Sequence, residues 1–120
     1  MTIIVTTSGP ELDSPVDPRF GRAAYFLVVD PISSDYKAHP NPALDAAGGA
    51  GTQAAQFASS QGVEAVVSGA FGPNAFQALE AAGIVMSLLG PAATARQAVE
   101  AYRDGRLERA TLPSRSGRRG

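Results

Sequence analysis

The chain has 120 residues, 44% of them hydrophobic, no cysteine, and a formal net charge of −1. That is enough for one domain with a modest core, and too apolar for a disordered chain. No apolar run approaches membrane-spanning length, and Met1 to Thr6 has neither a basic start nor a long apolar stretch, so a cytoplasmic protein without a secretory leader is expected. The charge is uneven: residues 1–100 hold 4 basic and 9 acidic side chains, whereas residues 101–120 hold 6 arginines and 2 acids. An acidic body argues against a dedicated nucleic-acid binder.

Ile3-Ile4-Val5 reads as a first strand, ended by the turn cluster Thr6 to Pro10. A long loop, 8–23, leads to Tyr25-Phe26-Leu27-Val28-Val29, whose unbroken apolar run predicts a strand buried on both faces. Asp30-Pro31 stops it. Residues 34–39 form a weaker edge strand with Lys37 toward water. After a loop over 40–51, Thr52 to Gln61 is helical, with Ala54, Phe57 and Ala58 inward and Gly62 as its stop. Val63–Val67 is a strand ending at Gly69. Pro73 opens a second helix lined by Phe76, Leu79 and Ala82, and Gly83 closes it. Ile84–Leu89 is the last strand. Thr94 and Gln97 mark the start of a third helix, Thr94 to Asp104, with a stripe of Ala95, Ala98, Val99 and Tyr102.

The order βββαβαβα is an α/β pattern. Helical crossovers make the first, fourth and fifth strands parallel, and the first three form a meander, so the expected sheet order is 3-2-1-4-5 with strand 2 antiparallel. A single domain over residues 1–110 is expected, followed by a basic flexible tail, 111–120. The tail is either a frayed, solvated end or a weak contact for an acidic partner or nucleic acid.

This order gathers three glycine-bearing loops at one sheet edge, where open α/β sheets bind ligands. They are Arg19-Phe20-Gly21-Arg22, Gly48-Gly49-Ala50-Gly51-Thr52, and Gly69-Ala70-Phe71-Gly72-Pro73-Asn74-Ala75. Two of them open a helix, where unhindered N–H groups attract anions. Tight joints packed for structural reasons would use the same residues. Arg19 and Arg22 offer planar, weakly hydrated guanidinium groups suited to large soft anions, while Asp17 can pair with one of them. Phe20 is expected to turn inward as an anchor, and Phe71 to cover something.

Other chemistries lack their parts. Gly49-Ala50-Gly51-Thr52-Gln53-Ala54 matches a dinucleotide fingerprint in letters, but no strand precedes it and no acid follows at the next strand end. There is no Gly-Lys-Ser/Thr phosphate loop and no Gly-x-Ser-x-Gly elbow. His39, the single histidine, reads as a solvated loop residue before Pro40. As a candidate metal ligand it has no cysteine to complete a closed site. The strand ends carry threonine and serine rather than the carboxylates of a metal-dependent nuclease. An enzyme acting on a small phosphorylated metabolite would lack a general base.

Taken together, Arg19-Phe20-Gly21-Arg22, Gly49-Ala50-Gly51, Gly69 to Ala75 and Gly105-Arg106-Leu107 resemble the dinitrogenase iron–molybdenum cofactor biosynthesis family, over roughly residues 2–109. The resemblance implies a ribonuclease-H-like three-layer fold and the binding or carrying of metal–sulfur clusters. Some cluster-carrying members place His before Phe-Gly; Arg19 stands there in this chain, which argues against imidazole ligation. The short, cysteine-free form is most similar to a member of that family that holds a molybdenum–copper sulfide cluster without covalent bonds, so the resemblance implies such a cluster here, with an iron–molybdenum cofactor or its precursor as the alternative. Such a cluster brings its own sulfides, so it needs donors rather than thiolate ligands.

On this reading there are no catalytic residues and no direct metal ligands. Arg19 and Arg22 neutralise charge, and Phe20 and Phe71 shield the cluster. Gly49, Gly51, Thr52, Gly72, Asn74 and Ala75 give N–H donors or close approach, while Gly21, Gly69 and Pro73 complete the loops. A monomer that delivers its cluster to a protein partner is expected. The competing reading is an adaptor or regulatory module that binds a protein partner and keeps a vestigial pocket.

Overall fold

A computed structural model of the chain describes residues 1–44 and 49–114. Gly48, Asp45 and the arginines at 115, 118 and 119 lie outside the described residues. The strands are β1 (Ile3–Thr7), β2 (Tyr25–Val29), β3 (Tyr36–Pro40), β4 (Ala65–Ser68) and β5 (Val85–Leu88). The helices are α1 (Ala50–Ser60), α2 (Pro73–Ala81) and α3 (Ala95–Arg103). A short 3₁₀ turn spans Phe20–Arg22.

The sheet order is β3-β2-β1-β4-β5, as the connection rules require. β2 runs antiparallel to both β1 and β3, and β4 runs parallel to β1 and β5. The result is an α/β fold in three layers. On one face Ile4, Phe26, Val66 and Met86 pack with Ala54, Ala58 and Leu79 of α1 and α2. On the other, Ile3, Val5, Leu27, Val29, Ala65 and Val67 pack with Ala95, Ala98 and Val99 of α3. Covering both faces is why β2 does not alternate in polarity. Each fully buried Val, Leu, Ile or Phe side chain among them is worth about 1.5–3 kcal/mol.

Several expected boundaries shift. α1 begins at Ala50, two residues before Thr52, because Gly49 adopts a left-handed conformation (φ 72°) and turns the chain into the helix early. Ala82 is exposed at the end of α2 rather than inward; Ala75, Phe76 and Leu79 hold the buried face. Phe57 and Tyr102 are half-buried, since each sits at the rim of its helix stripe. His39 is a β3 residue rather than a loop residue. Its ring lies edge-on to Phe57, with centroids 5.2 Å apart. Beyond α3 the chain runs along the outer edge of β5, where Leu88 N–H donates to the Glu108 carbonyl and Ala110 N–H to that of Met86, each at 2.8 Å. Among the described residues, no helix is long and apolar enough to cross a membrane.

The parallel pairing places the C-terminal ends of β1, β3, β4 and β5 at one sheet edge. The connections that leave these strands carry the glycine-bearing loops.

Candidate functional site

The 17–22 loop is fixed from below by buried polar groups. Thr6 and Ser68, both without solvent exposure, close the ends of β1 and β4. Thr6 Oγ1 donates to the Asp17 carbonyl at 2.6 Å and lies 2.8 Å from Ser68 Oγ. Asp17 N–H returns a bond to the Thr6 carbonyl at 2.9 Å. Gly69 N–H then donates to the Pro18 carbonyl (3.0 Å), and Phe20 N–H to that of Ala70 (3.2 Å), so two of the loops are stitched by main-chain bonds. A β-carbon on Gly69 would fall 2.7 Å from Pro18 Cβ and 2.9 Å from its Cα, so this joint closes only around glycine.

From the other side, Asn41 holds the loop. Its Nδ2 donates to the carbonyls of Gly21 (3.2 Å) and Ala23 (2.8 Å), and its Oδ1 accepts from Ala43 N–H (2.8 Å). Sequence reading passed over Asn41. Its signal was an amide beside a proline after a strand, a common turn residue. The three loops then touch through small residues. A β-carbon on Gly21 would meet Gly51 backbone at 3.4 Å, and one on Gly51 would meet Ala75 Cβ at 3.1 Å. Gly21, Gly51 and Ala75 therefore form a seam that lets α1, α2 and the 3₁₀ turn approach closely.

Around this seam opens a hollow of about 600 Å³. Arg19, Phe20, Gly21 and Arg22 line one side, Gly49 and Gly51 another, and Gly72, Pro73, Asn74 and Ala75 a third. Ala50 and Ala70, which belong to the expected loops but were given no role of their own, complete it with Ser114, which lies outside those loops. No carboxylate lines it among the described residues.

The other expected site residues lie elsewhere. Thr52 faces a neighbouring groove between α1 and α2 that shares Asn74. Gly69 sits behind the wall against Pro18. Phe71 is only 1% exposed and does not line the hollow; it packs on Phe20, with centroids 5.6 Å apart. Phe20 in turn stacks on Phe26 at 5.5 Å, so the floor of the hollow is continuous with the core. His39 lies on β3, outside the lining, and no group of three or more metal-ligating side chains occurs among the described residues.

The two arginines differ. Arg19 closes a fork on Asp17: its Nε and Nη2 each lie 3.3 Å from a carboxylate oxygen, and its main-chain N–H donates to Oδ1 at 2.9 Å. The Asp17 hydrogen bond and charge hold the Arg19 guanidinium above its ordinary pKa, so it stays charged, but its field is partly cancelled. Arg22 is exposed and has no salt bridge among the described residues. The helix starts are also unfilled. Gly49 and Gly72 precede α1 and α2 with no side-chain cap. Gly72 has ordinary extended backbone (φ −64°, ψ 169°), and a β-carbon there would meet no protein atom within 4 Å. Neither backbone conformation nor packing requires glycine at that position; the space it leaves belongs to the hollow.

The family model for the dinitrogenase iron-molybdenum cofactor family matches residues 1–105. The chain belongs to that family. Among solved structures, the apo form of the orange protein from Desulfovibrio gigas is 43% identical, with a TM-score of 0.89 over 95% of this chain and 96% of that one. A putative NifB protein from Thermotoga, placed in the DUF35 family, is 34% identical, with a TM-score of 0.82 over 97% and 98%. PH0822 shares the fold at 19% identity and a TM-score of 0.73, over 92% and 97%. No curated protein matches the chain.

Proposed function

We propose that this family member binds and carries an anionic, molybdenum-containing metal–sulfide cluster without forming a bond from protein to metal. One observation carries the reading: Arg19, Arg22 and two uncapped helix starts border a single hollow with an apolar floor and no carboxylate among the described residues. A sulfide-rich anion is large and soft. Guanidinium groups are weakly hydrated and give up little solvation to meet it, and charge-assisted N–H bonds strengthen over an apolar floor. The main-chain N–H groups at the start of α1 add partial positive charge. The open space at Gly72 admits an occupant close to the backbone. With no thiolate in the chain, the cluster keeps its own sulfide ligands, and a molybdenum–copper sulfide is the composition we favour.

The reading is non-enzymatic. Asp17, the carboxylate of the 17–22 loop, is engaged by Arg19 and is poorly placed to act as a general base. The kinship with the orange protein supports a carrier.

The test is titration of purified protein with tetrathiomolybdate, alone and with copper(I), followed by desalting, metal analysis and visible absorption. Retention of molybdenum with a shifted sulfide-to-metal absorption band is expected. Protein that emerges colourless and metal-free at every ratio would overturn the reading.

A further inference from the structure

Ser114 lines the hollow although it lies 39 positions beyond Ala75 and outside the residues that the family model matches, which end at 105. The chain brings it there in two steps. After α3 the backbone pairs along the outer edge of β5, with Arg109 bridged antiparallel to Ser87 between the Glu108 and Ala110 bonds. It then crosses to the joint between β4 and α2. There Ser114 N–H donates to the Phe71 carbonyl at 2.7 Å, and Ser114 Oγ accepts from Phe71 N–H at 3.0 Å. Phe71 is buried against Phe20, so this anchor rests on the core. Residues 106–114 are therefore a strap whose last described residue is part of the site wall.

The two bonds leave one polar group unspent. A serine hydroxyl has one hydrogen to donate and two lone pairs. Accepting from Phe71 N–H uses a lone pair and keeps the hydrogen turned away from that N–H. Ser114 is half-buried, and its O–H donates to no acceptor among the described residues. The hydroxyls beneath the loops differ. Thr6 Oγ1 donates to the Asp17 carbonyl and Ser68 Oγ to that of Pro18 at 3.4 Å, and neither lines the hollow.

Resting on the proposed function, we propose that Ser114 is a binding residue of the hollow, its hydroxyl donating to the anionic occupant. Arg19 and Arg22 are exposed and attract any anion. The Ser114 hydroxyl is short and held by Phe71, so it rewards only an occupant whose acceptor atom lies within its reach. A donor ordered in advance contributes without first losing freedom, and one hydrogen bond to a charged acceptor is worth about tenfold in affinity or more.

The experiment compares the unaltered chain with Ser114→Ala, Ser114→Thr and Ser114→Asp, each checked by thermal melting. The probe is tetrathiomolybdate, followed by equilibrium dialysis and visible absorption. Ser114→Ala removes the donor and is expected to bind about tenfold more weakly. Ser114→Thr keeps the hydroxyl and restores most of the affinity. Ser114→Asp keeps an acceptor for Phe71 N–H but sets a negative charge against the anion, so it falls furthest although its anchor survives. A purely structural role gives the other order, with Ser114→Asp close to the unaltered chain and Ser114→Ala weakest. The bound spectrum gives a second reading. A hydrogen bond lowers the energy of a sulfide lone pair, so its loss in Ser114→Ala moves the sulfide-to-molybdenum band of the saturated protein to longer wavelength.

If loss of the Phe71 bond unfolds Ser114→Ala, the contrast between Ser114→Thr and Ser114→Asp decides. Equal affinity and an unmoved band in Ser114→Ala overturn the role of Ser114 while leaving the carrier reading intact. So does a folded Ser114→Asp protein that binds like the unaltered chain. No retention by the unaltered chain fails the carrier reading itself, and this role with it.

Discussion

The three helices begin in two different ways. α3 starts at Thr94, whose Oγ1 accepts from Gln97 N–H at 3.2 Å, while Gln97 Oε1 accepts from Ala93 N–H at 2.8 Å. That end is satisfied by its own cap and by the Ser14 and Leu12 carbonyls, which accept from Ala95 and Arg96 N–H at 3.1 and 2.7 Å, and it lies away from the hollow. α1 and α2 start at Gly49 and Gly72 with no side-chain cap, and both ends border the hollow. A Ser, Thr, Asp or Asn cap contributes about 1 kcal/mol over a residue that cannot cap. The chain uses such a cap where a helix start is only structural, and omits it at the two starts that a ligand would meet. On the proposed function, the contrast separates residues that hold the fold from residues left open for a ligand.

The contrast breaks most sharply at Arg22. Arg22→Glu should lower thiomolybdate affinity by more than tenfold with little change in melting temperature, because the side chain is exposed and unpaired among the described residues. Equilibrium dialysis beside a thermal melt checks both halves. Arg19→Glu should weaken uptake markedly as well, and should also destabilise the fold by leaving the largely buried Asp17 carboxylate unpaired. If Arg19→Glu melts like the unaltered protein and still takes up the anion, the site is elsewhere.

Gly72→Asp tests the uncapped start directly. The position has N-cap backbone geometry and free space, so the new carboxylate should cap α2 and raise stability by a few tenths of a kcal/mol. The same carboxylate should cut anion uptake several-fold. Stability and binding moving together would contradict the division drawn above. Thr94→Ala is the mirror case. It should cost about 1 kcal/mol in urea unfolding and leave uptake unchanged.

The smallest effect concerns the α3 side at high pH. Burial, followed by its 2.8 Å hydrogen bond to Glu64, pushes the Tyr102 hydroxyl from 10.0 up to about 12. The fold favours the protonated form, so this contribution is whole below pH 10 and is lost as pH rises toward 12. A late tyrosinate absorbance change that disappears in Tyr102→Phe, with uptake at neutral pH unaltered, is the expected record.

Strand order was legible because glycine and proline punctuate the chain and because crossover rules leave few topologies open. The gathering of the three loops at one sheet edge followed from that order alone. What periodicity could not show was which way side chains point inside those loops. Phe71 has the same aromatic character whether it covers a ligand or fills the core, and its stacking on Phe20 decides for the core. Gly69 and Gly72 look alike in sequence, yet one is forced by Pro18 and the other faces open space. Ala82 fits the helical stripe in spacing but falls where α2 has already ended. Asn41 and Ser114 act through bonds to residues 18 to 43 positions away, and no local pattern encodes such partners.

The main-chain bonds from Phe20 to Ala70 and from Ser114 to Phe71 give the hollow walls drawn from stretches of chain far apart in sequence. An occupant bridging those walls acts as a reversible staple. Its binding free energy adds to the unfolding free energy as RT ln(1 + [L]/Kd), so a loaded molecule resists heat and proteolysis in proportion to how tightly it is filled.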